Sequence, residues 1–196
     1  MLYSLFRLLF AFLLTTIFRI RIRVKGREHL PKEGGFILAS NHVSYLDPIV
    51  LAIASSRRLD FMAKQDLFSH PVLAWWMRSV GVVPVKRDSA DLWAIKEAMR
   101  RIRKGRVLTL FPEGSRSDGK HHTEPQSGVG FLAIKANAPV IPAFISGTAL
   151  ALPKGAKFIR PARISVCFGR QISLERRMPY QDFAQLIMES IRSLSC

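Results

Sequence analysis

The chain is short of cysteine and of acidic residues. Its 196 residues include two cysteines, Cys167 and Cys196, and 14 aspartates and glutamates against 30 lysines and arginines. Two thiols so far apart predict neither a disulfide framework nor a metal centre, and they agree with a reducing, cytosolic-side location. No Gly-x-Ser-x-Gly turn is present to offer a serine nucleophile. No internal repeat and no low-complexity tract occurs, and neither half has the composition of a disordered segment. Trp75, Trp76 and Trp93 lie in apolar helical settings and no reading helix is recognisable, which argues against a nucleic-acid partner.

What is present is grease and positive charge. The chain is 48% hydrophobic, enough for one domain with a substantial core, and its net charge is +16. So basic a surface attracts nucleic acid, anionic lipid headgroups or an acidic carrier protein. Residues Leu2 to Phe18 are apolar except for Arg7, and Arg19, Arg21, Arg23, Lys25 and Arg27 follow. The apolar run is slightly short of the roughly 20 residues that span a bilayer. Its charge follows the grease, the reverse of a signal peptide. The expectation is a membrane-associated helix over residues 1–18, at or dipping into the interface, with a second domain over residues 19–196. A core helix is the alternative.

Beyond that helix, short apolar runs predict strands at 19–24, 36–39, 59–63, 82–85, 107–111, 140–145 and 164–168. Helices are expected at 48–55, 71–80, 88–104, 128–137 and 180–194. In the third of these, Leu92, Ile95, Met99 and Ile102 make one apolar face. Asp88 and Asp91 open it and Arg100, Arg101, Arg103 and Lys104 close it, as the helix dipole favours. Alternation of strand and helix predicts an α/β fold, a central mostly parallel sheet flanked by helices, with its chemistry on the strand-end loops.

Three such loops carry polar clusters. In Asn41-His42-Val43-Ser44-Tyr45-Leu46-Asp47, a histidine can act as a base and a carboxylate can orient it. A spacing of five does not align them on one helix face, so they meet only if the chain bends between them. Asp47-Pro48 equally suits a helix start, and Ser44 with Asp47 a capping box. The segment 81–87 ends a strand with Lys86 and Arg87, a phosphate grip or two solvated charges. In Phe111-Pro112-Glu113-Gly114-Ser115-Arg116-Ser117 a buried strand breaks to expose a carboxylate, a glycine and a cation. An ordinary turn is the plain alternative. His121 and His122 have no partner at ligand spacing and read as loop surface.

Taken together, Asn-His-x-x-x-x-Asp, Gly-x-x-x-x-x-Arg, Phe-Pro-Glu-Gly-x-Arg-Ser and Val-Ile-Pro (Val140 to Pro142) resemble the motif series of the glycerophospholipid acyltransferases. The likeness covers roughly residues 20 to 170 and is greatest to the bacterial members acting on 1-acylglycerol-3-phosphate. It implies that residues 19–196 are an acyltransferase domain, with His42 as base and Asp47 as its partner. It implies Arg87 near the substrate phosphate, and Glu113, Gly114 and Arg116 holding the acceptor. The implied reaction moves a fatty acyl group from acyl-CoA or acyl carrier protein to a lysophospholipid, with no cofactor and no metal. An anionic membrane surface, the cytoplasmic face of the inner membrane, is the implied location. Another acceptor, such as a lyso-ornithine lipid or lysophosphatidylcholine, is the alternative. Many relatives place Phe-Lys-x-Gly before the helix at Gly128; Pro125-Gln126-Ser127-Gly128 stands here and carries no lysine.

Overall fold

A computed structural model describes residues 2–86, 91–116, 124–153, 155–174 and 177–196. Seven strands form one sheet: β1 (Arg21–Lys25), β2 (Phe36–Ser40), β3 (Leu59–Lys64), β4 (Val82–Val85), β5 (Val107–Leu110), β6 (Val140–Ser146) and β7 (Arg163–Phe168), in the spatial order β1-β7-β6-β2-β5-β3-β4. Every neighbouring pair is parallel except β6 and β7. The helices are α1 (Leu2–Phe12), α2 (Asp47–Ala54), α3 (Pro71–Ser79), α4 (Leu92–Arg103), α5 (Gly128–Ala136), the short α6 (Thr148–Ala151) and α7 (Tyr180–Arg192).

The central strands β6, β2 and β5 read as largely apolar runs because both faces of the sheet are covered. In β2, Phe36 and Leu38 enter the core beneath α2 and α3, while Ile37 and Ala39 enter the core beneath α4, α5 and α7. Edge strand β1 alternates instead. Ile22 and Val24 pack inward, and Arg21, Arg23 and Lys25 are exposed.

Helix α4 starts at Leu92, later than the charge pattern suggests. The Asp91 carboxylate accepts from the amides of Ala94 and Lys86, both at 3.0 Å, and so caps it. Asp88 lies outside the described residues. The basic residues closing this helix do more than answer its dipole. Arg101 reaches Asp60 on β3 at 3.0 Å, Arg106 reaches it at 2.5 Å, and Arg101 also donates to the Gly81 carbonyl at 2.6 Å. Glu97 joins this network through Arg100 and Arg101. Its carboxyl is lowered from 4.5 to about 2, first by the hydrogen bonds of Arg100, with Arg101 adding to the effect against burial. A carboxyl lowered by folding adds stability that is present above its ordinary pKa and lost as pH falls through the folded one. Glu97→Gln is therefore expected to destabilise at neutral pH, the gap to wild type closing as pH drops from 4.5 toward about 2. Urea melts at neutral and strongly acidic pH check it.

The cysteine expectation is corrected. The chain beyond α7 returns beside β7, and Cys167 and Cys196 form a disulfide with Cα atoms 5.7 Å apart. Sequence separation concealed the pairing because the return path is set by packing of α7.

The N-terminal segment is helical as expected, α1 passing into a wider π-helical turn over Leu13–Ile17. One side of it docks. The Tyr3 hydroxyl accepts from the Leu59 amide at 3.0 Å, Arg7 donates to the Ser55 carbonyl at 3.3 Å, and Phe6 and Phe10 meet Trp76 edge to face. The other side leaves Leu5, Leu8, Leu9 and Phe12 exposed. Among the described residues no helix is long and apolar enough to cross a membrane.

Candidate active site

The parallel run of β2, β5 and β3 delivers three loops to one end of the sheet. The first begins at Asn41, where β2 leaves β6. Its side-chain amide donates to the Ile145 carbonyl at 2.9 Å and accepts from the Ile145 amide at 2.8 Å. An asparagine here mimics one more residue of strand pairing, satisfying a buried backbone that would otherwise cost free energy.

After this clamp the chain bends, and the bend solves the spacing problem. Oδ2 of Asp47 accepts from the amides of Val43 at 2.7 Å and Ser44 at 2.8 Å and from Nδ1 of His42 at 2.9 Å. Asp47 is wholly buried at the first turn of α2. The His–Asp reading and half of the capping-box reading meet in this turn: the carboxylate accepts from the Ser44 amide and holds the imidazole too. The Asp47 amide donates to the Ser44 carbonyl rather than to its hydroxyl, and Leu46, which precedes α2, makes no side-chain cap. The Ser44 hydroxyl accepts from Leu46 and donates to the Leu152 carbonyl at 3.0 Å, tying the loop to the segment after α6. Because a carboxylate only accepts, the bond to Asp47 requires the hydrogen on Nδ1 and leaves the lone pair on Nε2. Phe111, at the end of β5, fixes the ring plane by stacking on it, centroids 4.1 Å apart.

The Phe111-Pro112-Glu113-Gly114 turn stands opposite. Gly114 adopts φ +68°, a left-handed conformation suited to glycine, and a side chain there would crowd Gln126. The Gln126 amide donates to the Pro112 carbonyl at 2.7 Å, so this loop braces the turn. Glu113 is buried.

Between these loops opens a cavity of about 990 Å³. His42, Gly114, Ser115 and Arg116 line its polar end. Its walls are Ile49 and Ile53 of α2, Phe61 and Ala63 of β3, Trp76 and Met77 of α3, and Phe6 and Phe10 of α1. It is an apolar chamber with a histidine–carboxylate pair at one end, at the upper limit of the roughly 300–1,000 Å³ usual for ligand sites.

The family model described as Acyltransferase matches residues 21–146, which contain both loops. The chain belongs to the acyltransferase family. It is 32% identical over 139 residues to a chloroplastic 1-acyl-sn-glycerol-3-phosphate acyltransferase of Brassica napus, 69% of this chain and 40% of that one. It is 30% identical over 146 residues to the 1-acyl-sn-glycerol-3-phosphate acyltransferase of Streptococcus pneumoniae, 73% of this chain and 52% of that one. The chain thus spans about half, or less, of the length of these curated relatives. The crystal structure of the 1-acyl-sn-glycerophosphate acyltransferase of Thermotoga maritima superposes with a TM-score of 0.79 at 26% identity, covering 90% of this chain and 72% of that one.

Within this family member the expected site residues divide. His42, Gly114 and Arg116 share the cavity wall. Asp47 and Glu113 are buried and are not among the residues lining the cavity. Arg87 lies outside the described residues, as do His121 and His122. The guanidinium of Arg116 lies 3.4 Å from the centroid of the Tyr45 ring, a cation–π contact with a residue inside the first motif. Lys64, where β3 ends, lines the same chamber beside its ion-pair partner Asp66, and the sequence reading passed over it. The signal was available: like Lys86, it is a cation directly after an apolar strand.

Proposed function

We propose that the chain transfers a fatty acyl group from an acyl thioester, carried by coenzyme A or acyl carrier protein, to the sn-2 hydroxyl of 1-acylglycerol-3-phosphate, giving phosphatidate. The observation that carries this reading is the His42–Asp47 pair, 2.9 Å apart, at the polar end of the apolar chamber with Arg116 on the same wall. The activities of the relatives named above support it.

The thioester is already activated, so the reaction proceeds in one displacement. Nε2 of His42 removes the acceptor's proton as its oxygen attacks the thioester carbonyl. Collapse of the tetrahedral intermediate expels the thiolate, which takes the proton back from the imidazolium. Buried Asp47 stabilises that cation and fixes its ring. The chamber takes an acyl chain, and Arg116, steadied by Tyr45, faces the acceptor phosphate, with Glu113 and Gly114 shaping the turn that presents it. Arg87 is the second cation assigned to that phosphate. Arg116→Ala is expected to lower kcat/KM for the acceptor about 10- to 150-fold, the equivalent of the roughly 1.5–3 kcal/mol of a hydrogen bond to a charged group. The donor KM stays put; steady-state kinetics with each substrate varied in turn checks this.

The exposed leucines of α1 and the basic run from Arg19 to Arg27 suit a helix lying in the headgroup region, with residues 19–196 as the catalytic domain. The cytoplasmic face of the inner membrane is the proposed location. The acceptor is tested by offering the purified protein lysophosphatidate, lysophosphatidylcholine and a lyso-ornithine lipid with one acyl thioester. The reading expects lysophosphatidate to be acylated fastest, and a preference for the lyso-ornithine lipid would reassign the acceptor.

A further inference from the structure

The strand directions gather a second group of residues beside the site. Strands β2, β3, β4, β5 and β6 all end at the site's end of the sheet, whereas β1 and β7 run the other way and begin there. That end therefore also holds α6, the segment 155–162 that leads into β7, and Ile17 to Ile20 ahead of β1. Backbone bonds join them: the Arg160 amide donates to Ala151 at 2.8 Å, and the Arg21 amide to Ala162 at 3.0 Å. The Ser44–Leu152 bond fastens the group to the His42 loop.

Side chains in this lip divide sharply. Leu152, Ile159 and Ala162 pack on the core. Leu150 is 73% exposed and Phe158 is 80% exposed, the most open large apolar side chain among the described residues. Lys157, Arg160, Arg163, Arg19 and Arg21 around them are exposed too. From Pro125 to Leu174 the chain has no aspartate or glutamate. An apolar wedge ringed by cations without acids complements an anionic lipid surface, where each cation raises partitioning by about fivefold.

We infer that this lip is a second bilayer contact, in which Phe158 and Leu150 enter an anionic leaflet while Lys157, Arg160 and Arg163 meet its headgroups. It rests on the membrane reading of α1 given above and adds a separate point of attachment. One contact lets the domain swivel. Two hold the site end against the leaflet, so that a lipid acceptor passes from the bilayer to His42 without crossing water.

The test uses the full chain carrying Phe158→Asp, Phe158→Trp, or Lys157→Glu with Arg160→Glu, and Leu8→Asp on α1 as a separate arm. Sedimentation is measured with vesicles of phosphatidylcholine alone and mixed with phosphatidylglycerol. Phe158→Asp is expected to bind mixed vesicles weaker by a factor on the order of ten or more, with Phe158→Trp binding like wild type. The double charge reversal should abolish the preference for mixed vesicles. Turnover on a short-chain, water-soluble lysophosphatidate should remain unchanged for Phe158→Asp, while turnover on acceptor embedded in vesicles falls; the first of these also reports an intact fold. Undiminished vesicle binding by Phe158→Asp overturns the lip. If Leu8→Asp alone weakens binding, the α1 contact stands and only the lip fails; if neither matters, the membrane reading fails with it.

Discussion

Replacing His42 by alanine is expected to lower kcat by about 100-fold or more, the usual loss when a general base is removed. The protein should stay folded, because the ring lies at the cavity wall and Asp47 Oδ2, on losing it, keeps the Val43 and Ser44 amides. Asp47→Asn is the sharper partner experiment. The amide oxygen can still accept from those two amides and from Nδ1, so geometry is retained and the negative charge behind the imidazolium is lost. Turnover should again fall about 100-fold or more, with the acceptor KM little changed, since the charge acts on a cation formed only during the reaction. Steady-state rates beside thermal melts separate this from unfolding. Near-normal turnover in folded His42→Ala would remove the base from the mechanism.

The second large effect is on stability. Asp60→Ala is expected to cost about 3–5 kcal/mol, the range for removing one partner of a buried ion pair. Asp60 is fully buried and answers both Arg101 and Arg106, of which Arg101 is the better buried. Its loss leaves Arg101 with Glu97 and the Gly81 carbonyl only. In a domain of this size that loss lowers Tm by roughly 6–20 °C. Because the three side chains act as a unit, Asp60→Ala together with Arg101→Ala should cost less than the sum of the two. Strict additivity in chemical melts would show that they do not.

Asp60 also marks where the sequence stops being legible. An acid in a short apolar strand looks like a lapse, and the cations ending α4 look like a response to the helix dipole. Only the packing of α4 beside β3 joins them. What depended on local pattern was readable: the apolar run of β2, the alternating β1, and the amphipathic α4 and α7 lie within a few residues of where periodicity puts them. The start of α4 was misplaced because Asp91 supplies the cap. The N-terminal segment was legible as a helix but not as a two-sided one, since the buried Leu14 and the exposed Leu5, Leu8 and Leu9 are the same letter. His42 and Asp47 could be named together, but a spacing of five says nothing of the bend; three bonds to one carboxylate oxygen make it. The Tyr45–Arg116 contact was missed because it belongs to the wall of a cavity, which exists only after β3, α2 and α3 have assembled.

The central claim is that His42 drives acyl transfer from a thioester to lysophosphatidate. Its most direct test incubates purified wild-type protein and His42→Ala with lysophosphatidate and a labelled acyl thioester, followed by lipid analysis and thiol titration. The account predicts labelled phosphatidate and free thiol in equal amounts from the wild type, and both nearly absent from the variant. Thiol release without phosphatidate, or undiminished phosphatidate from His42→Ala, would contradict it.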